Sequence, residues 1–128
     1  MIENLPYYLT SAILGIMIFF SFAVAPITFT VLDENNARKY IRKIFPFYYL
    51  VNLFLSICAL VAFSLNVISF DFYLILAVAT LFVISNFILM PLINKYRDNK
   101  EDKKFNYLHR FSVIINFIQL IILILILF

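Results

Sequence analysis

Four polar side chains interrupt the apolar C-terminal run: His109, Ser112, Asn116 and Gln119. Their spacings of three, four and three residues place them on one stripe of an α-helix. Asn52 and Ser56, one helical turn apart, and Asn86 break two other apolar stretches in the same way. Amides and hydroxyls can bond one another, or hold a small polar solute or ion. Neither titrates near neutral pH. His109 alone can change charge there. Its place at the end of an apolar run predicts an anchor between helices rather than a catalyst. Tyr48, Tyr49 and Asn94 are its expected partners.

Several chemistries find no residues to carry them. A haem or zinc site needs at least two His or Cys ligands at one depth. His109 and Cys58 are single and lie on different stretches. Met17, Met90 and Cys58 fall on three different apolar stretches, which does not suit a copper relay. No carboxylate lies within an apolar stretch, so a paired-acid proton relay is excluded. There is no glycine-rich phosphate loop. The chain is expected to have no catalytic residues, metal or cofactor, and not to be an enzyme. A lone cysteine forms no internal disulfide.

Composition shows what kind of scaffold carries these residues. Hydrophobic residues make up 65% of the chain and charged residues 13%, whereas about 25% is charged in soluble domains. A bilayer core about 30 Å thick is crossed by about 20 helical residues. Residues 8–32, 45–65, 72–93 and 108–128 each meet that length. The fold class is therefore all-α: one integral membrane domain over residues 1–128, a four-transmembrane-helix bundle. The start of the chain lacks the basic region of a cleavable signal, so the first segment is expected to remain.

Charge sets orientation. Four cations lie in residues 33–43 and six from Lys95 to Arg110. None lies in the head, in the 66–71 turn or in the tail. This asymmetry puts loops 33–43 and 94–107 in the cytoplasm and both termini outside. The net charge of +3 is then a membrane signature, not a sign of nucleic-acid binding. Residues 36–43 could form a short amphipathic helix on the membrane surface. Pro26 and Pro91 should kink their helices, Pro26 freeing the carbonyl of Phe22. The pair Ser11 and Gly15, and the pair Ser21 and Ala25, would let a neighbouring helix approach closely. Counted from the cytoplasmic boundary, Asn52, Asn86 and Asn116 share a depth of roughly 10–12 Å. Such a layer either glues helices together or lines a vestibule.

Two motifs inside the spans and two entering them carry a resemblance. They are Ala25-Pro26-x-x-Phe29, Ile44-Phe45-Pro46-Phe47-Tyr48, Asn86-x-x-x-x-Pro91 and Leu108-His109-x-x-Ser112-x-x-x-Asn116. The chain resembles a bacterial four-helix membrane domain of unknown function related to the eukaryotic transmembrane protein 205. The resemblance implies a four-helix integral membrane protein and brings no established activity.

The functional expectation is an accessory or scaffold protein of the bacterial inner membrane, or a small subunit of a membrane complex. The lipid bilayer is its surrounding partner, with a homo-oligomer or a larger complex as further partners. The alternative is transport or binding of a small polar solute or ion through a cytoplasm-facing polar vestibule.

Overall fold

The computed structural model describes residues 1–128 and is helical almost throughout. Its four helices are α1 (Ile2–Val31), α2 (Glu34–Ser64), α3 (Phe70–Asp98) and α4 (Asp102–Leu127), each long and apolar enough to cross a membrane. Pro6 sits in the first turn of the α-helical part of α1, where its missing N–H is not needed. Asp33 caps α2, its carboxylate accepting from the Asn36 backbone N–H.

The basic stretches differ from expectation. No separate surface helix covers residues 36–43, because α2 runs unbroken from the basic stretch into the apolar one with Pro46 inside it. The loop expected over 94–107 shrinks to a turn between Asp98 and Asp102, closed by Lys100 in the left-handed region at φ 55°. The physical reason is that Glu, Lys and Arg are good helix formers. Glu34 pairs with Arg38 one turn on, and Glu101 with Lys104. Hydropathy marks where a helix would leave a bilayer, not where it ends. Helices of 26–31 residues reach about 39–46 Å, beyond a 30 Å hydrocarbon core.

Short links make sequential helices antiparallel neighbours. α1 packs against α2 and α4, and α3 packs against the same two. The core between them comprises Ile13 and Met17 of α1, Ala59 and Phe63 of α2, Ile75 and Phe82 of α3, and Leu123 of α4. Only 25 of 128 residues are buried, so most apolar side chains point outward, an exterior suited to hydrocarbon rather than water. Ser11 and Gly15 also face outward, and a Cβ on Gly15 would meet nothing within 4 Å. The close approach expected at this pair does not occur within the chain. At the end remote from the basic stretches, the Tyr7 hydroxyl donates to Asp71 Oδ2 at 3.0 Å, tying α1 to α3.

Pro26 and Pro91 are accommodated by the same device. A π-turn precedes each, Phe20–Val24 in α1 and Ser85–Leu89 in α3. The N–H of Ala25 reaches back five residues to the Phe20 carbonyl, and that of Met90 to the Ser85 carbonyl. A widened turn absorbs one extra residue just before a residue that cannot donate. The Thr28 hydroxyl then donates to the Val24 carbonyl at 2.7 Å. A π-turn thus accompanies each of the two prolines.

Candidate functional site

One amide joins three helices. The Tyr48 hydroxyl of α2 donates to Asn116 Oδ1 of α4 at 2.8 Å. Asn116 Nδ2 in turn donates to the Ser21 hydroxyl of α1 at 2.9 Å. Packing aims the phenol: the Tyr48 ring stacks on Phe20 at 4.1 Å between centroids, and Phe45 meets Phe20 edge-on at 5.1 Å. Ser21 belongs to the π-turn before Pro26, so the irregular backbone places the third member of the network.

The other polar residues lie elsewhere. Asn52 is fully buried, and its Nδ2 donates to the Tyr48 carbonyl one turn back in its own helix at 2.8 Å. Its Oδ1 is buried with no protein partner. Ser56 donates to the Asn52 carbonyl at 2.7 Å. Gln119 crosses to α3 by itself, Nε2 donating to the Val78 carbonyl at 3.1 Å. Asn86 is half-buried and takes no part in these bonds. The expected layer of three asparagines therefore reduces to Asn116, with Tyr48 and Ser21 as partners. Depth along an axis does not fix the face on which a residue lies. The π-turn of α3 presents Ser85 inward, 2% exposed, and sets Asn86 aside.

Beside this network a cavity of about 430 Å³ extends to the basic ends of the bundle, lined from all four helices. Its walls are mostly apolar and include the rings of Phe20 and Phe29 of α1, Phe45 of α2 and Phe117 of α4. Arg38 and Arg42 of α2, Arg97 of α3 and His109 of α4 stand at its rim. Of the sequence candidates, His109, Ser112, Asn116 and Pro26 line it, while Asn52, Ser56, Asn86, Gln119 and Pro91 do not. The cavity's lining is far more apolar than an amide layer would make it.

The rim cations are held differently. Arg42 forms an ion pair with Asp98 and also reaches the Asn94 carbonyl at 3.5 Å. The Arg42 hydrogen bond keeps the Asp98 carboxyl below the usual carboxylate range. Arg38 pairs with Glu34 through one terminal nitrogen. Arg97 is in no ion pair, and its guanidinium carbon lies 3.8 Å from the centroid of the Phe105 ring. Phe105 in turn stacks on His109, with centroids 5.8 Å apart and planes 4° from parallel.

His109 therefore does not bond Tyr48, Tyr49 or Asn94. The Tyr48 hydroxyl is engaged with Asn116. Phe105, one turn before His109 on the same helix, takes the ring face instead. Ser112 turns back on its own helix, donating to the His109 carbonyl at 2.7 Å.

Arg38, Arg42, Arg97 and Phe105 escape a reading that treats the basic stretches as loops. Helical spacing could have found all of them but Arg97. Arg38, Arg42, Phe45 and Tyr49 fall on one stripe of α2 at intervals of four, three and four. Phe105, His109, Ser112 and Asn116 do the same on α4. Nowhere do three His, Cys, Asp or Glu side chains converge as a metal site would need.

No curated protein and no solved structure matches the chain. The Ala25–Phe29, Ile44–Tyr48 and Asn86–Pro91 motifs lie inside a family match over residues 8–102, and the His109–Asn116 motif lies beyond it. With residues 8–102 matched, the chain belongs to the family described as a domain of unknown function, DUF4149.

Proposed function

We propose that the chain is a multi-pass protein of the bacterial inner membrane whose vestibule opens to the cytoplasm and binds a small ligand between the four helices. The observation that carries this reading is the cavity of about 430 Å³ bounded by all four helices. Small-molecule sites typically measure about 300–1,000 Å³. The cation distribution supports the orientation, since every Lys and Arg falls in or next to the two basic stretches. The role is binding or transport rather than catalysis. The Ser21, Tyr48 and Ser112 hydroxyls that line the cavity are engaged in bonds within the protein, and its one histidine is stacked on a neighbouring ring.

Native mass spectrometry of the full chain, purified in mild detergent, tests this. Wild type should carry a small molecule that Ala25→Trp, which fills the cavity, releases without loss of helicity. A wild-type protein that carries nothing, under conditions mild enough to keep its lipids, sinks the proposal.

A second reading is an accessory or scaffold role, as a homo-oligomer or as a small subunit of a larger membrane complex. The outward Ser11 and Gly15 favour it, because the open space over Gly15 suits the close approach of another helix. A monodisperse monomer without co-purifying chains would count against it. Kinship with transmembrane protein 205 rests on the short motifs alone and is part of this proposal.

A further inference from the structure

The vestibule lining has two characters that one ligand must satisfy together. Arg97 forms no ion pair at the rim, whereas Arg42 pairs with Asp98 and Arg38 with Glu34 through one terminal nitrogen, leaving the other free. Arg97 has an aromatic ring for a neighbour and no carboxylate. The Arg38 Nε–H is buried with no protein partner. Guanidinium groups match the oxygens of phosphate in geometry as well as charge. Behind them the walls are mostly apolar, with several aromatic rings. An uncharged apolar ligand would leave the guanidinium donors unmet. A free anion would leave the apolar walls without contacts.

The cavity's lining also reaches the outer face of the bundle between α1 and α4. After its π-turn, the Ala25–Val31 part of α1 packs against α2 rather than against α4. Phe29 on one side of this gap and Phe117 on the other line the cavity yet are 62% and 51% exposed. In a bilayer such a gap faces lipid just inside the basic ends, where head groups give way to chains. Basic pockets between helices on the cytoplasmic side suit anionic head groups.

We propose that the vestibule binds an anionic phospholipid drawn from the surrounding leaflet. Its phosphate sits at Arg38 and Arg97, and one chain leaves through the gap between Phe29 and Phe117. The proposal rests on the vestibule being a ligand site.

The test is thermal unfolding of the delipidated full chain in mild detergent, with three added probes. Short-chain phosphatidylglycerol should raise the melting temperature by several degrees, increasingly with concentration. Phosphatidylcholine with the same chains, and glycerol phosphate without chains, should not. Arg38→Gln with Arg97→Gln should need about tenfold more phosphatidylglycerol for the same rise over its own lipid-free melt. Lys100→Gln, on the turn beyond the cavity, should leave the response unchanged. An equal rise with phosphatidylcholine overturns the role of charge. An equal rise with glycerol phosphate overturns the lipid source in favour of a free anion. An unchanged response in the double variant overturns the arginine placement. No rise with any probe, while Ala25→Trp still releases some other molecule, overturns the lipid and leaves the vestibule. No rise and no retained molecule overturns both.

Discussion

Asn116 shows how one amide is held among apolar helices. Both ends of its side chain are engaged, by a phenol on α2 and by a hydroxyl on α1. Removing one partner can cost more than the bond itself is worth, because it leaves a half-buried acceptor without its donor. Tyr48→Phe should therefore lower stability in detergent by about 1–2 kcal/mol. Combined with Asn116→Leu, the loss should fall short of the sum by about 0.6–1.7 kcal/mol, the range seen for bonds between membrane helices. Denaturant unfolding of the two single variants and the double variant measures this. Simple additivity would mean that the two side chains do not share a bond. Asn116 is recognisable in the sequence because an amide in an apolar run stands out. Its partners are not, since Tyr48 resembles an interfacial tyrosine and Ser21 a small residue for helix packing. Which face a residue occupies depends on the turns around it, and both Ser21 and Asn86 lie within π-turns.

At the scale of the element, three prolines lie inside helices and only two are relieved. Pro26 and Pro91 come after π-turns that take up the missing donor. Pro46 has no such turn and sits within the regular α-helix of α2. An interior proline costs an i→i−4 bond, here to the Arg42 carbonyl, and crowds that carbonyl. Pro46→Ala should stabilise the protein by about 1–3 kcal/mol. Pro26→Ala and Pro91→Ala should each gain less, because their π-turns persist with the packing around them. Melting temperatures of the three variants in one detergent check the order. A larger gain at Pro26 would mean that its π-turn is strained rather than accommodating. Four helices could be read from four apolar runs, since length and hydropathy are strong signals. The continuity of the polar extensions with α2, α3 and α4 was not legible from hydropathy, because a hydropathy boundary is not a helix boundary. The π-turns were hidden because a pattern of period 3.6 assumes the regular helix, and one inserted residue rotates the remainder of the helix by about 100°.

At the scale of the molecule, topology reduces orientation to a single choice. With four antiparallel helices, the α1–α2 and α3–α4 links must share one side. The Arg42–Asp98 ion pair joins those two ends directly. Glu3 and Asp71 belong to the opposite side, which has no cation in its links. Placing a lysine or arginine at the centre of a membrane-spanning helix costs about 2.5–3.5 kcal/mol. By the positive-inside bias, the side that holds all the cations is expected in the cytoplasm. Single cysteines at Lys39, Val67 and Lys100, in a Cys58→Ser background, read that choice. Val67 is 88% exposed in the α2–α3 link, and the other two sites are exposed at the basic ends. An impermeant thiol reagent applied to intact cells should label the Val67 site alone. After lysis all three should react, showing that each thiol is reachable. Labelling of Lys39 or Lys100 in intact cells would turn the arginine rim outward. The vestibule would then face the outer leaflet, and any ligand it holds would have to come from there.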